Sequence, residues 1–275
     1  MSEKTILIMG AGNMGCSLAI GLVNNDWTSS QIMFCELNNS KHVILAEQFS
    51  ESMIVNTPQQ LAVKPDIVIL AVKPHDLPEI CNDLVESGLG LDTLFISIAA
   101  GAPISALKKL LGEDTEIVRC MPNTPAGIGL GMTGLYTSDK TSLENQALAE
   151  TILQAVGKTI WVDEEIKLDA ITALSGSGPA YLFYLMESLQ EAGQTLGLNK
   201  DDCYQLALQT MLGAAQLASE SNESFEALRA NVTSKGGTTE HALDVFEKNN
   251  FKEIIVNALQ AASNRAAEIS KSFAK

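Results

Sequence analysis

Cationic and aromatic side chains are in short supply in this sequence, and long apolar runs are missing altogether. Lysine and arginine total 18 against 33 aspartates and glutamates, a formal net charge of −15. So acidic a chain repels phosphate backbones and anionic lipid, which argues against nucleic acid or a membrane as partner. It leaves room for an anionic cofactor, because backbone N–H groups bind phosphate without net positive charge. Aromatics make up only 5% of the residues within a hydrophobic share of 46%. Alanine and leucine therefore carry the core, which favours close-packed helices. No apolar stretch approaches the ~20 residues of a spanning helix. The run Thr5–Met9 near the N-terminus is shorter than the roughly 7–15 residues of a signal-peptide core, so a cytoplasmic location is expected. His42, His75 and His241 share no ligand spacing and read as surface or capping residues. The five cysteines, Cys16, Cys35, Cys81, Cys120 and Cys203, are odd in number and form no C-x-x-C pair. Reduced thiols are expected, with neither a disulfide framework nor a metal site.

What is present is organised in two parts. The 275 residues suffice for about two domains. In the first half, short apolar runs alternate with helical patterns. Ile6–Met9, Ile32–Cys35, Asp66–Val72, Leu94–Ile98 and a run opening at Ile117 read as strands. Asn13–Val23, Ser40–Phe49, Leu77–Val85 and Ile104–Leu111 read as helices. This alternation implies βαβ units and a parallel sheet, and continuous apolar strands imply a sheet covered on both faces. After Trp161-Val162-Asp163 no convincing strand follows. Tyr181–Leu196, Asp202–Ala218 and Ile254–Ala267 repeat apolar residues at helical spacing, often over more than one face. Such helices cannot hide their apolar surface alone, which points to dimerisation. The expected fold is α/β: a doubly wound Rossmann-type domain over 1–163, then an all-helical substrate and dimerisation domain over 164–275.

The loop Gly10-Ala11-Gly12-Asn13-Met14-Gly15 follows the first strand and opens the first helix. In a dinucleotide fingerprint the first glycine permits the tight turn, the second lets pyrophosphate approach the backbone, and the third allows close helix–strand contact. All six residues are candidate cofactor ligands. Glu36 lies 21 positions after Gly15, at the end of the second strand, where an acid binds the adenosine ribose diol. Its carboxylate would repel a 2′-phosphate and favours NADH; Ser40 and Lys41, a few residues on, are the groups that could hold a 2′-phosphate. At the carboxyl end of the next strand Ala71, Val72, Lys73 and Pro74 come close to a nicotinamide ribose, with Lys73 either a donor or a solvated loop lysine. Ser97–Gly101, which includes Ala99, ends the following strand with small residues that leave room for a flat ring or serve plain packing.

Near the far end, Ser234-Lys235-Gly236-Gly237-Thr238-Thr239-Glu240 leads into a helical run, His241–Phe246. A glycine turn into a helix exposes several N–H groups, a natural seat for a small carboxylate. The alternative is an ordinary N-cap. Ser177-Gly178-Pro179 reads as another helix start, with proline at the first helical position.

Gly10–Gly15, Ala71–Pro74, Ser97–Gly101, Arg119-Cys-Met-Pro-Asn-Thr-Pro125, Leu174-Ser-Gly-Ser-Gly-Pro-Ala-Tyr181 and Ser234–Thr239 occur in this order. Together they make the chain, over nearly its whole length, resemble the pyrroline-5-carboxylate reductases. The Ser-Gly-Ser-Gly-Pro-Ala-Tyr and Gly-Gly-Thr-Thr motifs are specific; the first loop is not. The resemblance implies reduction of L-1-pyrroline-5-carboxylate to L-proline by NADPH or NADH, and a helical domain that interlocks with a partner. A homodimer at least is implied, and rings of dimers are common in the family. It also implies that the Thr239 hydroxyl, as catalytic group, reaches the ring nitrogen and that Ser234, Gly236, Gly237 and Thr238 hold the substrate carboxylate. Glu165 maps to a family position near the substrate nitrogen, although Asp163-Glu164-Glu165 is also an acidic helix start. Asn231 maps to a position near the cofactor. The chain departs from the family in two places. Lys235 stands where proline is frequent, and no basic residue stands near Leu37, which weakens the case for NADPH in line with Glu36. The rival readings are another imine reductase or a hydroxy-acid dehydrogenase on the same plan, which would need a general base such as Lys200 or Lys235, and a non-catalytic nucleotide-binding regulator.

Overall fold

A computed structural model describes residues 4–138 and 140–273. The first part is a sheet of eight strands: β1 (Ile6–Met9), β2 (Ile32–Cys35), β3 (Met53–Val55), β4 (Ile67–Leu70), β5 (Leu94–Ser97), β6 (Ile117–Met121), β7 (Gly131–Thr137) and β8 (Gly157–Trp161). Their spatial order is β3-β2-β1-β4-β5-β6-β7-β8. β1 lies between β2 and β4, parallel to both, with Met9 opposite Cys35 on one side and Leu70 on the other. The direction of winding reverses between β1 and β4, and in such sheets ligands bind at that switch point, beyond the strands' carboxyl ends.

The helices cover both faces, as the apolar strands require. Ile6, Ile8, Ile32, Phe34, Ile67 and Ile69 pack with Leu18 and Leu22 of α1 (Asn13–Val23) and Leu45 of α2 (Asn39–Gln48). The alternate residues Leu7, Met9, Met33, Cys35, Val68 and Leu70 pack with Leu77, Cys81 and Leu84 of α3 (Leu77–Glu86) and Leu107 of α4 (Ile104–Leu111). Alternation along each strand thus serves two cores at once.

The sheet extends beyond the parallel strands expected from sequence. β7 runs antiparallel to β6, and β8 pairs parallel to β7. Between them lies α5 (Leu143–Gln154). Gly134 of β7 leaves its space to Ile171 and Leu168, since a β-carbon there would lie 2.5 Å from Ile171 Cδ1 and displace these side chains. β8 alternates between part-buried and exposed residues, as an edge strand with one covered face does.

From α6 (Lys167–Ile171) onward the chain is helical: α7 (Gly178–Thr195), α8 (Lys200–Glu220), α9 (Phe225–Asn231), α10 (Thr238–Lys248) and α11 (Phe251–Ser272). Gly178-Pro179 opens α7, as the proline implies. The acidic run Asp163–Glu165 lies one residue short of the N-cap of α6, Ile166. Two compact units result. One runs to Ser177 and includes the chain from Ala262 onward; the other is Gly178–Ala261. Among the described residues, no helix is long and apolar enough to cross a membrane. In the second unit only Cys203 and Ala207 are buried, while Leu182, Phe183, Tyr184, Leu206, Leu212, Leu217 and Val245 stand exposed. A groove of 590 Å³ runs along α7 and α8 between Phe183, Met186, Tyr204 and Leu208. These helices keep an apolar surface that their own chain does not cover.

Candidate active site

The first unit carries a cleft at the switch point, 490 Å³ in volume, lined by Gly10, Gly12, Glu36, Lys41, Ala71, Val72 and Lys73 among others. Its floor is set by glycine. Gly10 has φ +91°, and a β-carbon there would lie 2.9 Å from both Ala71 O and Val72 Cγ1. Its N–H donates to Cys35 O at 2.9 Å, which ties the loop to the end of β2. A β-carbon on Gly15 would lie 2.3 Å from Gly10 O, so the first turn of α1 is pressed against the loop. Gly12 is different: a β-carbon there meets nothing within 4 Å and points into open space. Nothing in the protein requires glycine at this position, so the space itself is what it preserves. Gly12 is also the N-cap of α1, without a side-chain cap and with no acid in the first helical turn. Open space before an uncapped helix N-terminus fits a dinucleotide pyrophosphate.

Glu36 closes the other side. Its Oε2 accepts from Ala11 N–H at 2.9 Å and from Lys41 Nζ at 3.0 Å, and its Oε1 accepts from Asn38 N–H at 2.9 Å. Burial alone would raise its pKa; the bonds from Asn38, Lys41 and Ala11 outweigh burial and hold it below the usual carboxylate range. Ser40, the other candidate for a 2′-phosphate, donates both its N–H and its hydroxyl to Asn38 Oδ1. Lys73 is exposed at the rim and Pro74 opens a short 3₁₀ turn beside it. Asn13 is exposed and Met14 half-buried on the first turn of α1. Ala99 is 3% exposed and packed in the α3–α4 core. His42 contacts the backbone oxygen of Glu36 at 2.6 Å, a capping role.

The glycine turn before α10 belongs to the second unit. Gly236 has φ +73°, and a β-carbon on Gly237 would fall 2.4 Å from Ser234 Oγ, so both positions need glycine for the shape of the turn. The Gly236 N–H donates to Glu240 Oε2 at 2.6 Å and the Gly237 N–H to Ser234 O at 3.0 Å. Gly237 caps α10 without a side-chain bond. The groups this turn can offer an anion are therefore the N–H groups of Thr238 and Thr239, at the start of α10, and the hydroxyls of Ser234, Thr238 and Thr239. Thr239 is half-buried; Ser234 and Thr238 are exposed. His241 Nδ1 lies 3.0 Å from Gly237 O. Asn231, the last residue of α9, donates to Glu223 Oε2 at 2.8 Å.

Glu165 stands in the first unit, and its partners are structural. Its Oε1 accepts from Arg119 Nη1 at 2.9 Å and from Ile104 N–H at 2.8 Å. The second bond caps α4, whose own N-cap Pro103 offers no side chain for the purpose. Arg119 is 6% exposed on β6 and Asp169 is 5% exposed on α6. Burial pushes the Asp169 carboxyl above the usual range; Arg119 and a 3.5 Å contact from Ser270 Oγ offset this only in part, and Glu165 adds to it. This buried cluster was not read from sequence. The signal was an arginine inside the otherwise apolar run Ile117-Val118-Arg119-Cys120-Met121, since a charge in a core strand demands a buried partner.

The sequence model of a family described as pyrroline-5-carboxylate reductase dimerisation matches residues 165–269, and one described as NADP oxidoreductase, coenzyme F420-dependent, matches residues 5–101. The chain is 40% identical to the pyrroline-5-carboxylate reductase of Pseudomonas aeruginosa over 98% of each chain. It is 38% identical to that of Haemophilus influenzae over 99% of this chain and all of the other. Among solved structures, a pyrroline-5-carboxylate reductase from Coxiella burnetii aligns with a TM-score of 0.93 at 40% identity, covering 98% of this chain and 99% of that one. The Plasmodium falciparum enzyme with NADP bound aligns at 0.85 and 29%, with the same coverage.

Two predictions test this geometry. Gly12→Val should leave the unfolding midpoint unchanged while weakening NADH binding by about tenfold or more, roughly 1.4 kcal/mol; unchanged affinity in a titration would show that the open space is not the pyrophosphate seat. Asp169 has a folded pKa raised above its unfolded value, so ionising it opposes folding at neutral pH. This penalty fades as pH falls through the folded pKa and is gone below the unfolded value of about 3.9. Asp169→Asn should therefore raise the melting temperature at pH ~7 and lose that advantage below pH ~4. An equal gain at both pH values would show that burial of the charge is not its cause.

Proposed function

The chain belongs to the pyrroline-5-carboxylate reductase family, and from that premise we propose that it reduces L-1-pyrroline-5-carboxylate to L-proline with hydride from NAD(P)H, the last step of proline biosynthesis. The observation that carries this reading is the full-length match to reductases of that name, joined to a glycine-floored cleft whose one open position, Gly12, faces an uncapped helix N-terminus. Residues 1–163 hold the dinucleotide and residues 164–275 serve substrate and dimerisation. Gly10, Ala11, Gly12, Asn13, Met14 and Gly15 form the phosphate loop, Glu36 meets the adenosine ribose, and Ala71, Val72 and Lys73 border the nicotinamide ribose.

The chemistry asks little of the protein beyond positioning. The substrate is a cyclic imine with one carboxylate. The bound dinucleotide supplies hydride to the iminium carbon, and the C=N π electrons pass to nitrogen, which keeps its proton. No metal or covalent nucleophile is needed. Thr239, Thr238 and Ser234 seat the carboxylate at the start of α10. The Thr239 hydroxyl accepts from the ring N–H and holds the nitrogen protonated. Gly236 and Gly237 act through the shape of the turn, since their own N–H groups are engaged with Glu240 and Ser234. Glu165 acts indirectly, through Arg119 and the start of α4.

The dimerisation-family match over 165–269 makes the chain a homo-oligomer. A homodimer is the unit, with rings of dimers as the larger assembly, and the apolar faces of α7 and α8 supply the surface for it. Five free thiols, four of them buried, suit a reducing, cytoplasmic setting.

Oxidation of NADH and NADPH with L-1-pyrroline-5-carboxylate tests the activity; turnover with either is expected, and none with a bound dinucleotide would move the reaction to another imine. Thr239→Ala should lower kcat about tenfold or more, the loss of a hydrogen bond worth ~1.5 kcal/mol in the transition state; wild-type kinetics would remove Thr239 from its role. Sedimentation at micromolar protein should show no monomer, and a stable monomer would refute the dimeric helical unit.

A further inference from the structure

The cleft at the switch point is lined by four carboxylates, Glu36, Asp76, Glu79 and Asp83, against two lysines, Lys41 and Lys73. Its own field therefore disfavours added negative charge. NADPH differs from NADH by one phosphate on the adenosine ribose, so what matters is which cations are free to meet that group. Lys41 is not free. Its ammonium lies 3.0 Å from Glu36 Oε2, the same oxygen that takes the Ala11 N–H. The neighbouring polar groups are equally engaged. Asn38 N–H donates to Glu36, and both donors of Ser40 go to Asn38. The start of α2 is thus closed on itself, with Glu36 as its anchor on the phosphate loop.

We propose that Lys41 is a specificity-determining residue held in reserve: the Glu36 carboxylate binds it as counter-ion, so that the cleft selects NADH, and Lys41 becomes a 2′-phosphate anchor only when the Glu36 charge is removed. This rests on the dinucleotide reading of the cleft. A ribose diol donates to Glu36 and leaves the pair intact, because a carboxylate has about four acceptor sites and three are used here. A 2′-phosphate accepts and does not donate, so it meets Glu36 as a like charge and gains Lys41 only by breaking the pair. Glu36→Gln keeps one oxygen to accept from the Ala11 N–H and removes the charge, while its amide nitrogen, a donor, gives up the bond from the Asn38 N–H. In that variant Lys41 has no anion beside it, and a 2′-phosphate is its natural partner.

The test is a double-mutant cycle on the full-length protein. Wild type, Glu36→Gln, Lys41→Ala, the double variant and Glu36→Gln with Lys41→Arg are compared by calorimetric binding of 5′-AMP and 2′,5′-ADP, and by kcat/KM with NADH and NADPH. The wild type should favour the nucleotide without the 2′-phosphate by at least about tenfold (roughly 1.4 kcal/mol). Glu36→Gln should shift the ratio towards the phosphorylated partner by about tenfold or more. Lys41→Ala should erase that shift in the double variant, and Lys41→Arg should restore it. A wild type that prefers 2′,5′-ADP, or a Glu36→Gln gain that survives loss of Lys41, overturns the inference. Failure of every variant to bind either nucleotide overturns the dinucleotide reading together with it. The binding arm decides the matter even if the pyrroline substrate is not turned over.

Discussion

Gly10 sits where the ends of β1, β2 and β4 meet, with no room for a β-carbon. That contact is the constraint on which the cleft depends. Because Gly10 takes a left-handed conformation, the chain leaves β1 and turns at once into α1, and because Gly15 lacks a side chain, α1 starts against the loop itself. The N-terminus of α1 is thereby aimed at the switch point. Enlarging Gly10 or Gly15 would push α1 away from the sheet and misplace every N–H group that faces the cleft. Enlarging Gly12 would fill the cleft and leave the fold alone. One motif thus combines two kinds of glycine, two that the architecture requires and one that faces open space.

The second unit has the opposite problem. In the sheet unit the central strands β1, β2, β4 and β5 are buried on both faces and form cores with helices of the same unit. In Gly178–Ala261 nearly all large apolar side chains remain exposed. At roughly 25 cal/mol per Å², leaving so much apolar surface in water forfeits most of the free energy that could hold these helices together. Covering that surface by a second copy supplies the missing core, so folding of this unit and oligomerisation are one event energetically. The turn before α10 is carried on this unit.

Much of the sheet was legible in the sequence, because Ile6–Met9, Ile32–Cys35 and Ile67–Leu70 are continuous apolar runs and every one of their residues is buried. β3, β7 and β8 were not. Two of them begin with glycine, their residues are mixed, and their place in the sheet is fixed by partners distant in the chain, as in Gly131 opposite Gly157. Antiparallel β7 interrupts the βαβ rhythm, and no local signal reports direction. The glycines of the loop were legible for the same reason the strands were: their constraint is local. Ala99 reads either as room for a flat ring or as plain packing, because a small residue at a strand end looks alike in both cases; the structure places it in the α3–α4 core. Glu165 and Lys41 show where sequence reasoning stops. Glu165 reads as near a substrate nitrogen or as an acidic helix start, and Lys41 as a group that could hold a 2′-phosphate; the pairings with Arg119 and Glu36 are long-range or side-chain geometry that position alone does not report.

The charge balance ties these points together. On the proposed function, a chain with net charge −15 binds two anions, a dinucleotide and a small carboxylate. It does so with very few cations. Lys41 is spoken for by Glu36 and Arg119 by Glu165, so neither is available as a free phosphate or carboxylate receptor. On the proposed reading the main receptors are backbone N–H groups at the starts of α1 and α10, both uncapped by side chains, together with three hydroxyls; the exposed Lys73 lines the cleft and the exposed Lys235 lies in the turn before α10. Such dipoles act only at short range, and the acidic surface does not need to be reversed for them to work. Selectivity follows from the same arrangement. On the proposed reading, an anion held by a fixed number of N–H groups rather than by mobile cations leaves one further phosphate to face the surplus of carboxylates in the cleft, with Lys41 already paired to Glu36.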